Sequence, residues 1–165
     1  MMEVIPAIDI RAGRCVRLIQ GDYSKETIFA DNPMEMAIKW ESEGAEYLHI
    51  IDLDGAKEGS AVNMDVISKI CADSAARIQV GGGIRHMQSV KFYMDAGVSY
   101  VIIGTQAVKD PDFLQEACAA YPGQIIVGLD AIDGKVATDG WADVSELKAI
   151  ELVEQFACLG IAAIV

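Results

Sequence analysis

The sequence predicts an α/β fold built on a parallel sheet, and three observations lead to that class. Apolar runs of strand length alternate with amphipathic segments of helix length. Most of these runs are apolar almost throughout, as expected of strands that are buried on both faces of a parallel sheet. Glycine also marks the joints where a helix leads into a strand, as in GAEYLHII, GVSYVIIG and GIAAIV.

Six strands are predicted, in regular succession along the chain. They are expected at 3–10, 46–52, 77–81, 99–103, 124–130 and 161–165. Five helices fall between them, at 33–43, 64–73, 87–96, 111–120 and 146–159. Capping residues support four of the helix starts, which are Asn32-Pro33, Asn63, Asp110-Pro111 and Ser145.

Two architectures fit this alternation of strands and helices. With 165 residues the chain is long enough for one core and short for two domains. An open doubly wound sheet is complete at this length, whereas a (β/α)₈ TIM barrel normally needs about 250 residues. The last residues fall inside a predicted strand, with no polar tail and no closing helix. We therefore expect residues 1–165 to form a single incomplete domain, a (β/α)₈ barrel that is truncated after strand 6.

Composition and charge exclude several classes of function. The chain is 52% hydrophobic and 23% charged, which is typical of a globular protein. Its net charge of −12 argues against a nucleic-acid surface and against binding to an anionic membrane. A phosphorylated ligand stays possible, because backbone amides at helix N-termini bind phosphate without net positive charge. Such a ligand requires positive charge at the opening of its binding site, against the net negative charge of the chain.

The four cysteines indicate neither a metal site nor a disulfide framework. Cys15, Cys71, Cys118 and Cys158 are widely spaced, with no CxxC pair and no Cys/His ligand spacing. The N-terminus lacks the basic and apolar regions of a signal peptide, and no apolar run reaches transmembrane length. We expect reduced thiols and a cytoplasmic location.

Two aspartates occupy matching positions at the ends of predicted strands. Asp9 in IPAIDIRAGR and Asp130 in VGLDAIDGKV each follow an apolar run and precede a Gly-basic pair, at an offset of 121 residues. Strands 1 and 5 of an eight-stranded barrel stand on opposite sides of its axis, so the two carboxylates would face each other across the mouth. Such a pair suits acid and base catalysis. The alternative is that each Asp caps its own turn, and the repeated pattern favours the catalytic interpretation.

Glycine-bearing loops follow strands 3 and 4. Gly81, Gly82 and Gly83 lie in VGGGIRH, together with Arg85, and Gly104-Thr105 lies in IIGTQAV. Glycines let a backbone approach a ligand closely and direct amide groups at it, so the two loops form a plausible phosphate cradle. The alternative for a triple glycine is an ordinary flexible turn.

Three further residues are candidates for substrate contact. His49 and Asp52 lie in YLHIIDLDGA, where the two-residue period of a strand places them on opposite faces unless the strand ends or bulges between them. Trp141, in TDGWAD, could close over a flat substrate. The alternative for His49 is a buried histidine whose hydrogen bonds are satisfied within the protein. The alternative for Trp141 is ordinary loop packing.

Together the segments IPAIDIRAGRCVRLIQGDY, YLHIIDLDGA, QVGGGIR, VIIGTQAV and VGLDAIDGKVATDGW resemble the ProFAR isomerase family of histidine biosynthesis, in order and over the whole chain. The resemblance implies a (β/α)₈ barrel made of two four-stranded halves. It also implies an Amadori rearrangement of a bis-phosphorylated aminoaldose to an aminoketose, without metal or organic cofactor. At matching positions, Asp9 resembles the general base and Asp130 the general acid. The two glycine loops resemble one of two phosphate sites.

The end of the chain departs from this family. Strands 7 and 8, which would hold the second phosphate, are not present, and a family threonine expected near position 168 lies beyond Val165. One alternative is the cyclase subunit of imidazole glycerol phosphate synthase, a sister barrel with the same two aspartates. Another is a non-catalytic partial barrel that self-associates through its open edges. The sequence also leaves open whether phosphoribosylanthranilate is a second substrate.

Overall fold

The computed structural model describes residues 2–19, 21–138 and 143–165, and within them the chain forms eleven strands and seven helices. The strands are β1 Ala7–Arg11, β2 Arg14–Ile19, β3 Asp22–Ala30, β4 Tyr47–Asp52, β5 Arg77–Gly81, β6 Tyr100–Ile103, β7 Ile125–Val127, β8 Ala131–Ile132, β9 Lys135–Thr138, β10 Asp143–Lys148 and β11 Ala163–Ile164. The helices are α1 Pro33–Ser42, α2 Leu53–Glu58, α3 Met64–Asp73, α4 Met87–Asp95, α5 Thr105–Lys109, α6 Pro111–Ala120 and α7 Ala149–Ala157.

Six parallel strands form the centre of the main sheet, and they lie side by side in chain order. The order is β11-β7-β6-β5-β4-β1, continued by β2 and β3, so every parallel pair joins neighbours along the chain. A doubly wound sheet would reverse its order at a switch point. The six predicted strands are confirmed, although the first, fifth and sixth are shorter than 3–10, 124–130 and 161–165. Their winding is that of a barrel.

The core lies between the outer face of this sheet and the helices. Alternate strand residues, including Ile8, Leu48, Ile50 and Val101, are fully or almost fully buried there. The residues between them face the lumen of the curved sheet. Most of the apolar burial therefore stabilises the contact between sheet and helices, while the lumen face is left for other side chains.

One lumen residue does not follow from the two-residue period of the strands. Counting back in steps of two from Thr105 places Ile103 in the lumen, but Ile103 is fully buried in the core on the helix side. Strand β6 ends at Ile103 and Thr105 already begins α5, so the two-residue period does not extend to Thr105. Ile102, paired with Ile126, is the residue of β6 that faces the lumen.

An antiparallel hairpin follows β1 and was not predicted. The chain turns at Ala12 and Gly13, which both have positive φ angles of 48° and 72°. Two such residues form the tight turn that suits the twist of a hairpin. Strand β2 then pairs with the upper part of β1, with Asp9 opposite Val16, and β3 pairs with β2. The hairpin therefore extends the sheet beside the end of β1.

Three of the four predicted helix starts are confirmed and one is wrong. Asn63 immediately precedes α3, although its side chain makes no capping hydrogen bond there. The side chains of Asn32 and Asp110 accept hydrogen bonds from backbone N–H groups in the first turns of α1 and α6. Ser145 does not begin a helix. It lies in β10, where its hydroxyl donates to the Val136 carbonyl at 3.1 Å, and α7 begins at Ala149. None of the helices in the described ranges is long and apolar enough to cross a membrane.

Candidate active site

A cavity of about 890 Å³ opens at the carboxyl ends of the parallel strands. Asp9, the central residue of β1, and Asp130, after β7, both line it. So do five predicted phosphate-binding residues and Arg85, the five being Gly81, Gly82, Gly83, Gly104 and Thr105. The carboxyl ends of parallel strands are the usual place for a site in such folds. The structure thus brings most of the predicted site residues to one cavity.

Asp9 is held on the lumen side of β1 because its neighbours Ile8 and Ile10 pack into the core on the other side. Burial raises the pKa of the half-buried Asp9 carboxyl, while the nearby His49 and Arg17 lower it in part. Burial also raises the pKa of Asp130. Carboxyl groups whose pKa is raised towards neutrality are suited to taking and giving protons.

His49 and Asp52 point to opposite faces of β4, as the two-residue period predicts. His49 is half-buried and its Nδ1 lies 3.1 Å from Oε1 of Gln79 on β5. It pairs in register with Ala7, one step below Asp9 on the lumen side, and it does not line the cavity. We therefore place His49 beneath the site rather than on its wall.

The prediction that Asp52 contacts substrate is wrong. Asp52 is fully buried, and protein donors occupy both of its carboxylate oxygens. Oδ1 accepts from the Gly55 N–H at 2.8 Å and from Asn63 Nδ2 at 2.7 Å, and Oδ2 accepts from the N–H groups of Val62 and Asn63 at 2.9 Å each. It caps α2 and ties the loop after β4 to the start of α3.

The same network reaches the hairpin. Asn63 Nδ2 also donates to Asp54, which accepts from the Ala12 N–H at 2.6 Å, and Asn63 Oδ1 accepts from the Gly13 N–H at 3.1 Å. Tyr23, on β3, donates through its hydroxyl to the Leu53 carbonyl at 2.8 Å. The hairpin is therefore fastened to the loop after β4 at two places.

Close packing accounts for Gly82 and Gly83, the two glycines that follow Gly81 at the end of β5. A Cβ atom on Gly82 would collide with the Asp52 carbonyl, and one on Gly83 with the Gly55 carbonyl; the two glycines have φ angles of 108° and 71°. Gly81 instead faces the lumen, where a Cβ would stand 3.0 Å from Ile51 Cδ1. The triple glycine therefore lets the loops after β4 and β5 touch, in addition to any role with a ligand.

The cavity has the locally positive character that an anionic ligand requires. Three basic side chains line it, Lys57, Arg85 and Lys109, against the two carboxylates Asp9 and Asp130. Arg85 donates to the Ala56 carbonyl at 3.1 Å and lies against Gly59. Sequence reasoning missed Lys57, Lys109 and Tyr23. The sequence feature that could have found them is their position shortly after a strand. Lys57 lies on α2, Lys109 on α5, and Tyr23 on the hairpin.

Trp141 lies outside the described residues. A second cavity, of about 540 Å³, lies at the opposite end of the strands and is lined by three carboxylates, Glu3, Glu43 and Glu46, with no basic side chain. It is unsuited to an anion. Across the described ranges, no group of three or more His, Cys, Asp or Glu side chains is placed to hold a metal ion.

Comparison with known proteins gives a consistent result. Residues 3–165 match the family described as histidine biosynthesis protein. A protein of Saccharophagus degradans named 1-(5-phosphoribosyl)-5-((5-phosphoribosylamino)methylideneamino)imidazole-4-carboxamide isomerase is 56% identical over 165 residues, which is 99% of this chain and 68% of that protein. Proteins with the same name from Pseudomonas savastanoi and Hahella chejuensis are 53% and 52% identical over 99% of this chain, and the match spans 67% and 68% of their lengths.

Proposed function

This chain belongs to the histidine biosynthesis protein family, and we propose that its cavity is the site of the Amadori rearrangement that the name of its relatives, ProFAR isomerase, denotes. The single observation that carries the proposal is the meeting of Asp9 and Asp130 with two glycine loops and three basic side chains around one cavity. The shared isomerase name favours this activity over that of the sister cyclase.

The two carboxylates divide the proton transfers of this reaction between them. Asp130, protonated, gives its proton to the ribose ring oxygen as the C1–O bond breaks, and the lone pair of the attached nitrogen forms a protonated imine at C1. Asp9, ionised, takes the proton from C2; the electron pair of that C–H bond forms the C1=C2 bond of the enol, and the electron pair of the C=N bond returns to nitrogen. The enol becomes the ketone when C1 takes a proton and the 2-hydroxyl gives one up. Raised pKa values at both groups support the exchange of roles between acid and base.

One phosphate of the substrate binds, in this proposal, between the loops after β5 and β6. The amides of Gly83, Gly104 and Thr105 supply hydrogen bonds, and Arg85 and Lys109 supply positive charge at the same wall. In crystals grown from sulfate or phosphate we expect an anion at these three amides. Amides turned away from the cavity, or covered by side chains, would contradict this assignment.

The decisive experiment is kinetic. We would complete the barrel by joining this chain to the remaining third of the Saccharophagus degradans isomerase, and measure turnover of ProFAR. Asp9→Asn is expected to lower kcat by at least about 10², the usual scale of acid–base catalysis, with little change in KM. Glu116→Gln, an exposed carboxylate on α6, serves as the control. Near-normal turnover of the Asp9→Asn protein would refute the assignment of the base.

A further inference from the structure

A polar pair lies in the lumen directly below the cavity and has no part in the reaction as described above. His49 and Gln79 are partners in register on the parallel strands β4 and β5, and Ala7 of β1 completes their row. The next row towards the cavity contains Asp9, Ile51 and Gly81. The pair therefore lies one step beneath the carboxylate to which we assign the role of base.

The hydrogen bond between the two side chains fixes where the imidazole carries its proton. Oε1 of Gln79 is a carboxamide oxygen, which only accepts, and it lies 3.1 Å from Nδ1 of His49. With the Gln79 carboxamide in this orientation Nδ1 donates, and in the neutral ring Nε2 keeps its lone pair. Gln79 itself is 7% exposed, so water competes little for this contact. Free imidazole side chains in water prefer the opposite tautomer, with the proton on Nε2.

We propose that His49 is a positioning residue for Asp9, and that Gln79 holds its ring in the tautomer with the proton on Nδ1. Nε2 is then the ring nitrogen that the hydrogen bond to Gln79 leaves to other partners, one row beneath the Asp9 carboxylate. The catalytic consequence rests on the proposed isomerase function, whereas the arrangement of His49, Gln79 and Asp9 is independent of it.

The charged surroundings of Asp9 are mixed, so the contribution of His49 must be separated from theirs. Arg17 of β2 also lowers the pKa of Asp9, against the effect of burial. Lys57, Arg85, Lys109 and Asp130 stand around the same cavity. Without His49, less positive charge counteracts the effect of burial on Asp9. The pKa of Asp9 therefore rises further, and the carboxyl takes up its proton at a higher pH.

The tautomer can be read without any substrate. The chain contains two histidines, His49 and His86, so a long-range ¹H–¹⁵N spectrum of the imidazoles shows two rings, and His86→Gln assigns them. We expect His49 to show the proton on Nδ1 at neutral pH. Gln79→Met removes the acceptor and should release the ring to the Nε2–H form. Gln79→Glu keeps an acceptor and should preserve the Nδ1–H form.

The coupling to Asp9 is tested by two variants that remove positive charge. His49→Asn and Arg17→Met are both expected to shift the carboxyl ¹³C titration of Asp9 to higher pH. Arg17→Met keeps the His49 ring, and its tautomer should be unchanged. In the completed barrel, His49→Asn should lower kcat/KM about threefold to tenfold more at about pH 5.5 than at about pH 8.

The possible results separate this proposal from the proposed function. A His49 ring with its proton on Nε2 in the parent chain, or an Asp9 titration that His49→Asn leaves unmoved, would overturn the positioning role. If both spectra behave as expected while the completed barrel does not convert ProFAR, the positioning role stands and the isomerase assignment fails.

Discussion

Asp9 and Asp130 carry a cost to stability that follows from their place beside the cavity. Burial raises the pKa of both carboxyls above the value of about 3.9 that an unfolded chain gives to Asp. The folded chain therefore binds these protons more tightly than the unfolded chain, and the free energy of unfolding falls as the pH rises through the raised pKa values. The penalty is present whenever the two carboxyls are ionised.

From this sign we predict that Asp9→Asn, which should abolish the proposed catalysis, raises Tm at pH 7. The neutral amide avoids the cost of a partly buried negative charge. The gain should shrink as the pH falls towards about 4, where the parent carboxyl is itself protonated. Thermal melts of both proteins across this range provide the measurement, with Glu116→Gln as an exposed control. A gain that does not depend on pH would show that charge is not its cause.

Asp52 represents the opposite case, a carboxylate whose charge the fold satisfies fully. We predict that Asp52→Asn lowers the free energy of unfolding by at least about 2 kcal/mol, because the new NH₂ group would face N–H donors that are already aimed at an oxygen. Urea titration measures the loss. Asp65→Asn, exposed in the first turn of α3, should change the same quantity by less than about 0.5 kcal/mol. Equal effects of the two substitutions would contradict the role given to Asp52.

These aspartates also mark how far the sequence informs about single residues. Asp9 and Asp52 present the same pattern, an apolar strand that ends in a carboxylate. They differ only in the face of the strand on which they lie. Because both faces of these strands are apolar, the pattern does not tell which face packs against the helices. The opposite placement of His49 and Asp52 could be predicted, but which of the two enters the lumen could not.

The loop after β5 shows how packing between elements restricts residue type. Gly83 and Gly123 have nearly the same φ, 71° and 70°, but an added Cβ would collide with the Gly55 carbonyl at Gly83 and meets nothing within 4 Å at Gly123. We predict that Gly123→Ala costs about 1–2 kcal/mol for the left-handed backbone alone. Gly83→Ala should cost clearly more, because the loops after β4 and β5 must separate.

Urea titration of the two alanine variants gives the comparison directly. Since φ is matched at the two positions, the difference between the two losses measures the contact of the two loops. Equal losses would mean that the loop after β5 yields without cost, and the triple glycine would then need a different explanation.

Among the elements, the parallel strands and their helices were predictable because both follow simple periods of buried residues. The hairpin of β2 and β3 was not, since β3 is largely exposed and β2 places Cys15 and Val16 in the core without a sustained apolar run. Its signal is the length of the connection from β1 to α1, because a long unstructured loop is uncommon within a compact domain. Ser145 shows the converse: a capping residue type is not a cap when its segment pairs as a strand.

At the scale of the whole molecule, the described sheet has two free edges and an open lumen. Strand β11 pairs only with β7, and β3 pairs only with β2. Val4 and Val165 are 69% and 63% exposed beside the lumen strands. We therefore predict that the 165-residue chain self-associates, increasingly so with protein concentration. Light scattering on the purified chain is the measurement.

A charged residue on the edge should weaken this association. Ala163→Lys places a lysine on β11, and Gln155→Lys places one on the exposed face of α7 as the matched control. Only the first should move the scattering towards the monomer mass. A parent chain that stays monomeric at high concentration, with a cooperative melt, would contradict the prediction.

The hydrogen bonds that join Asp52, Asn63 and Asp54 to the hairpin turn have a consequence for the kinetics of the mouth. Ala12 lies at an exposed turn, where amide hydrogens ordinarily exchange with solvent deuterium within seconds, but its N–H and that of Gly13 are held by side chains anchored to a fully buried carboxylate. These two amides can exchange only when their hydrogen bonds to the loop after β4 and to the start of α3 break. The rim should therefore open as one cooperative unit, and the amides of its exposed turn should exchange as slowly as those of Val62 and Asn63.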